Sequence, residues 1–188
     1  MTHKLHENRR RPARRWRAWA AIAGALGFGL VGVTAYSAVS QIIAVGTMEH
    51  SDLIGGPATV TMRTFTITPG EILPWHYHPG AGAHTVVISG VLNLEDGCGS
   101  EVIYTPGQAF LEHPFRVHRG KNLTSDPVVT AQTFIVPPGS ATTVQTGVQM
   151  CGPPRTADEC TGDGWASFDF PRIFRNAGDC LQYVITGK

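Results

Sequence analysis

The chain has 188 residues, 42% of them apolar, with 15 Lys and Arg against 14 Asp and Glu and a formal net charge of +1. That length supports one domain with a real core and barely allows two. Seven of the 15 basic residues fall within the first 17 positions, so the rest is mildly acidic and a nucleic-acid surface beyond the N-terminus is not supported.

The basic stretch RRRPARRWR (9–17) runs into AWAAIAGALGFGLVGVTA (18–35), which is uncharged and mostly apolar. A basic flank before an apolar run of this length reads as a signal peptide or as an uncleaved signal anchor, an apolar helix in both cases. Small residues at Ala35, Ser37, Ala38 and Ser40 permit cleavage just after the run, whereas an anchor would keep the basic side cytoplasmic. Arg14-Arg15 also resembles a twin-arginine signal. Both readings make residues 1–44 the membrane partner and put the folded part outside the cytoplasm.

Residues 45–57, with Gly46, Gly55, Gly56 and Pro57, read as a linker. From there to about residue 138 the chain is strand signal. TVTMRTFTIT (59–68), TVVISGVLNL (85–94), EVIYT (101–105), QAFLE (108–112) and VVTAQTFIV (128–136) are separated by ITPGE, HPGAG, EDGCGS, TPGQ and TSDP. Short strands at such intervals predict an all-β sandwich or small barrel. Thr130, Gln132 and Phe134 share one parity, which would turn Gln132 toward an interior cavity.

Residues 139–188 form a cysteine-containing extension, with LQYVIT (181–186) as a plausible last strand. An even cysteine number in an exported chain favours disulfides over reactive thiols or zinc ligation. Cys98, Cys151, Cys160 and Cys180 allow three pairings. Joining Cys151 to Cys160 closes a short loop and leaves Cys98 to hold the tail through Cys180.

The chemistry concentrates in WHYHPGAGAH (75–84), which holds three of the eight histidines. Along an extended segment His76 and His78 face the same way, so two imidazoles can grip one metal, and His118 in HPFRVHRGKN (113–122) offers a third. The run from Gly70 through His76 and His78 to Gly90 resembles the first motif of the cupin superfamily, G-x5-H-x-H-x3–4-E-x6-G. His118 and Asn122 match the closing H-x3-N of the second. The resemblance covers residues 58–137 and implies an antiparallel cupin barrel, or jelly roll, over 58–138, with a metal inside it on His76, His78 and His118. Ala83 stands where that family has its glutamate ligand, and His84, one residue later, is a candidate fourth ligand or outer partner of the site. Glu112 and His113 are expected at the rim, and Trp75, Tyr77 and Tyr104 could line the mouth. The sequon at Asn122 lies beside His118, which argues against its use.

Arg116 shares parity with His118, so its guanidinium would point inward to orient a carboxylate or enolate. Three neutral imidazoles leave a divalent metal with open positions, which favours Fe(II) over Mn, Ni, Cu or Zn. By the resemblance, the expected function is an exported or membrane-anchored metal-binding cupin, an oxygen-dependent dioxygenase acting on a small organic molecule. A non-catalytic module that binds a small ligand is the alternative, and pairing of edge strands into a homodimer is expected by analogy. The glycines of ALGFGLVG (25–32) belong to the apolar segment and are not read as a nucleotide-binding loop, and a G-x-S-x-G elbow is absent from the sequence.

Overall fold

The computed structural model describes residues 38–188. The basic N-terminus and the apolar run at 18–35 lie outside the described residues. In chain order the elements are β1 (Val39–Ser51), β2 (Gly56–Ile67), β3 (His76–Tyr77), β4 (Ala83–Ser89), β5 (Leu92–Asp96), β6 (Glu101–Tyr104), β7 (Ala109–Glu112), β8 (His118–Lys121), β9 (Val128–Val136), β10 (Val144–Gln145) and α1 (Ala177–Thr186).

Period-two patterning sets the layers. Along β9, Val128, Thr130, Gln132, Phe134 and Val136 are buried while every intervening residue is half-exposed. β4 follows the same rule, with Ala83, Thr85 and Val87 inward. The strands build two five-stranded antiparallel sheets, β1-β2-β9-β4-β7 and β10-β3-β8-β5-β6. A core of Ile67, Val87, Leu92 and Val128, drawn from both sheets and joined by Phe65, Leu73, Tyr104 and Phe110, packs between them.

The structure departs from several expectations of the sequence. The all-β expectation holds as two antiparallel sheets rather than as one closed barrel, and the run 85–94 breaks where the chain leaves one sheet for the other. At that point Gly90 adopts φ 77° and lies against the Pro127 carbonyl, leaving no room for a side chain. Residues 45–57 are no linker: they complete β1, turn, and begin β2, with Gly55 and Gly56 at the hairpin connection and Gly46 paired within β1. β1 is an edge strand, exposed along nearly its whole length, with Val39, Ile42, Ile43, Val45 and Met48 open.

The segment LQYVIT belongs to α1 rather than to a strand. The Asn176 side chain accepts a hydrogen bond from the Asp179 backbone N–H, and Gly187 closes the other end at φ 71°, so the two caps override local β propensity. The disulfides join Cys98 to Cys151 and Cys160 to Cys180, in place of the Cys151–Cys160 pairing. Proximity decides this: a side chain at Gly97 would run into the Met150 carbonyl, so the 96–100 turn lies directly on the start of the extension. Cys160 and Cys180 are instead packed with Cys151, Phe168 and Phe174 in a second small core. No cysteine is free, which fits an oxidising compartment. Among the described residues, no helix is long and apolar enough to cross a membrane.

Candidate metal centre

His76 and His78 leave an extended segment on the same side, as spacing by two requires. β3 meets β8 at one register point, His76 opposite His118, which carries the third ring to the first two. Ring centroids lie 4.5 Å apart for His76 and His118, and His78 is 5.0 Å from each. These three side chains come from one sheet and its margin.

The fourth member comes from the facing sheet. Glu112 ends β7 and is buried, so its expected place at the rim is corrected. Its register partner across the ladder is Ala83, the position where the motif lacks its glutamate. Two residues directly opposite in an antiparallel pair project to the same face, so a carboxylate one strand over reaches the interior spot that Ala83 leaves unfilled. Gly82, at φ 78°, packs directly against the Glu112 carbonyl and holds the two strands tightly there. One ligand atom from each of His76, His78, Glu112 and His118 lies within 4.8 Å of the others.

Hydrogen bonding shows what the cluster is built to hold. His76 Nδ1 is 2.8 Å from the Pro74 carbonyl, His78 Nδ1 2.7 Å from that of Thr142, and His118 Nδ1 2.8 Å from that of Arg116. A carbonyl only accepts, so each Nδ1 carries the proton and each neutral ring presents its Nε2 lone pair. Yet Nε2 of both His78 and His118 lies 2.9 Å from Glu112 Oε2. Acceptor then faces acceptor in a buried place, an arrangement that needs positive charge between the groups. Two buried imidazolium ions on one carboxylate oxygen would supply it at a heavy desolvation cost, whereas one cation satisfies all the lone pairs together. The donor set therefore fits a divalent metal. The other Glu112 oxygen accepts from the Thr85 hydroxyl and, at 3.2 Å, from the Gln132 amide, which fixes the carboxylate plane.

Without a metal, His76 stays neutral while the charge is shared between His118 and Glu112. Burial, followed by the neighbouring His118 and His78 rings, pushes the His76 pKa down to about 3, keeping it a neutral ligand. Burial would raise the Glu112 carboxyl, but the contacts with His118 and His78 outweigh it and hold the group well below the usual carboxylate range. Burial would lower His118, and its contact with Glu112 reverses that and raises it. A cavity of about 380 Å3 opens beside the cluster, with His76, His118 and Glu112 on its wall. Gln132 and Thr130 line it as their parity predicts, and Phe65, Ile67, Leu73, Leu92 and Leu94 supply the apolar side.

His84 is exposed on the outer face of β4, so it stands away from the cluster; alternation with Ala83 and Thr85 holds, and the glycine-rich approach does not shift the register. Arg116 also departs from expectation. It donates from Nη1 to the Pro153 carbonyl at 2.8 Å and from Nη2 to Asp96 at 2.9 Å, and it does not line the cavity. Its parity argument fails because residues 113–117 are not a strand, and Phe115, at φ 60°, reverses the backbone between Glu112 and His118. The aromatics pack rather than line the mouth: Trp75 lies under Arg119, Tyr77 between Phe115 and Phe170, and Tyr104 on Phe110. Asn122 is buried and donates its amide to the Ile67 and Asp126 carbonyls, bracing the chain after β8.

Residues 63–136 match the family described as the cupin domain. This segment is a cupin domain. Solved structures similar to the chain include a conserved protein with a double-stranded β-helix domain from Klebsiella pneumoniae, 20% identical over 58% of this chain and 84% of that one, with a TM-score of 0.43. The cupin domain of an XRE-family transcriptional regulator from Enterobacter cloacae is 23% identical over 55% of this chain and 99% of that one, TM-score 0.40. The salicylate 1,2-dioxygenase of Pseudoaminobacter salicylatoxidans is 21% identical over 39% of this chain and 22% of that one, TM-score 0.36. No curated protein matches the chain.

Proposed function

We propose that this chain is an exported or membrane-anchored cupin that holds one divalent metal on His76, His78, His118 and Glu112 and carries out oxygen-dependent oxidation of a small organic molecule in the adjoining cavity. The observation that carries this reading is the inward-facing set of Nε2 lone pairs around a buried carboxylate oxygen, with every Nδ1 engaged by a backbone carbonyl. Three imidazoles with one carboxylate suit Fe(II) foremost, with Mn next and Ni, Cu or Zn less favoured. When bound, the metal would supply Lewis acidity and the capacity to take up oxygen and substrate. The chain's own part is orientation and exclusion of water. Thr85 and Gln132 hold Glu112 in place, the carbonyls of Pro74, Thr142 and Arg116 fix the imidazole planes, and the apolar part of the wall limits the water beside the centre.

The segment before β1 is the proposed export or anchoring segment, shorter than the expected 1–44 because residues 39–44 pair with β2, and the two disulfides support export. N-terminal sequencing of the protein recovered from membrane and extracytoplasmic fractions distinguishes a cleaved signal from an anchor. The exposed apolar edge at β1 supports a homodimer, which light scattering of the purified protein tests. The catalytic reading is tested by metal analysis of the purified full chain and by oxygen uptake after loading with Fe(II) and with Mn(II). Stoichiometric metal with oxygen uptake on addition of small organic acids supports an oxidase or dioxygenase, and stoichiometric metal without uptake favours the alternative of a non-catalytic binding module.

A further inference from the structure

Arg63 is the unusual charge in this cavity. It lies on β2, reaches the interior, and its Nε donates to Gln132 Oε1 at 2.8 Å. Its guanidinium carbon sits 4.5 Å from the centroid of the Phe134 ring and 5.1 Å from that of Phe65, so aromatic faces hold it in position. Every other arginine among the described residues has an acid within ion-pair distance: Arg116 with Asp96, Arg119 with Glu95, Arg155 with Glu159, and both Arg172 and Arg175 with Asp179. Arg63 has none. The two acids on the cavity wall are both engaged elsewhere. Glu112 is taken by His78, His118, Thr85 and Gln132, and Glu71 accepts from the Ala38 and Thr68 backbones and the Thr68 hydroxyl. The terminal nitrogens of Arg63 thus have no acceptor among the described residues.

We infer that Arg63 is the anchor for the carboxylate of a small monocarboxylic acid with an apolar body, bound between the metal centre and the leucine-rich wall. This rests on the metal reading above and adds the substrate class to it. A guanidinium presents paired donors that match a carboxylate, and Gln132, which touches both Arg63 and Glu112, fixes the distance between anchor and metal centre. Charge selects a monoanion. With a divalent cation in place, Arg63 and the metal exceed Glu112 and Glu71 by one positive charge, which one carboxylate neutralises and two would overshoot. Size and lining select the rest of the molecule. The cavity of about 380 Å3 is near the small end for ligand sites, and Phe65, Ile67, Leu73, Leu92 and Leu94 offer a surface for an aromatic or branched aliphatic group.

The test is calorimetric titration of the full-length protein, metal-loaded and metal-free, with benzoate, 3-methylbutanoate, malonate and the neutral benzyl alcohol. The variants are Arg63→Gln, Arg63→Lys and the surface control Arg155→Gln, with metal content and thermal melting recorded for each. Benzoate or 3-methylbutanoate binds the metal-loaded parent saturably in the millimolar range or below, and more tightly than malonate or benzyl alcohol do. Arg63→Gln weakens that binding by about tenfold or more while metal content and melting stay at parental values. Arg63→Lys recovers part of the loss and Arg155→Gln loses nothing. Equal binding by Arg63→Gln and the parent, tighter binding of malonate, or no saturable binding of either monocarboxylate overturns the inference. If the parent takes up no metal yet the Arg63-dependent preference persists, the anchor stands and the metal reading falls.

Discussion

Two polar clusters in this molecule are built on opposite plans. In the C-terminal extension, Asp179 accepts from both terminal nitrogens of Arg172, at 2.9 and 3.0 Å, and from the Arg175 backbone at 2.9 Å, and the disulfide at Cys180 lies one residue away. Donors meet acceptors there, and the cluster caps and ties down α1. Around Glu112, three proton-carrying Nδ1 atoms are committed to carbonyls, while the Nε2 atoms of His78 and His118 converge with a carboxylate oxygen, acceptor upon acceptor. The arginines divide in the same way: Arg172 and Arg116 are paired within the fold, and Arg63 keeps its terminal nitrogens free toward a cavity. A polar cluster that closes on itself serves stability. One that is balanced only by an added charge serves a ligand.

The contrast is broken most severely by removing a ligand ring. His118→Ala is expected to take metal content from one ion per chain to near none by elemental analysis, with the fold retained by circular dichroism; full occupancy in this variant would remove His118 from the centre. Glu112→Gln keeps the shape and the side-chain oxygen but loses the charge, and is expected to weaken metal affinity by at least ~100-fold in a competitive chelator titration, more than losses from residues that merely support ligands. The register makes a sharper version possible. In the double variant Ala83→Glu, Glu112→Ala the carboxylate moves across the strand pair, and the account expects measurable metal binding to return relative to Glu112→Ala alone; no recovery would mean that the two positions do not share one interior spot.

In the extension, Cys160→Ser with Cys180→Ser should cost about 2–4 kcal/mol in denaturant unfolding and leave metal content unchanged. Acid acts on the metal-free centre through His76, whose pKa in the fold is about 3 against the ordinary 6.5. Between those values the unfolded chain holds the extra proton, so the stability that His76 contributes is complete above pH 6.5 and is lost as the pH falls toward 3. Thermal melts of metal-free protein should fall across that window, and His76→Gln should flatten the dependence. His84→Ala lies at the bottom of the scale: on the outer face of β4 it should change neither metal content nor melting, and loss of metal would contradict the position assigned to it.

Sequence legibility followed the range of the interactions involved. His76, His78 and His118 were readable because their convergence depends on strand periodicity and on a spacing shared with other cupins, and the inward turn of Gln132 because β9 alternates without a break. Glu112 was hidden, since its place in the centre depends on standing opposite Ala83 across a strand pair, and nothing local to QAFLE carries that register. Only the vacancy at Ala83 signalled that a carboxylate was owed from elsewhere. Arg116 misled because parity counts hold only along continuous strand, and Phe115 breaks it. Arg63 gave no signal at all, lying inside a run rich in threonine whose interior face was not distinguished from its exterior. In the extension, capping by Asn176 and Gly187 outweighed the β-branched residues of LQYVIT, and the disulfide partners followed from which turns touch rather than from sequence distance.

The most direct test of the central claim is anomalous diffraction from crystals of the metal-loaded protein, collected at the absorption edge of the bound element. One strong peak per chain is expected, bound by Nε2 of His76, His78 and His118 and by Oε2 of Glu112, at about 2.0–2.2 Å from each. A peak elsewhere, or none with the four side chains ordered and converging, would rule the centre out.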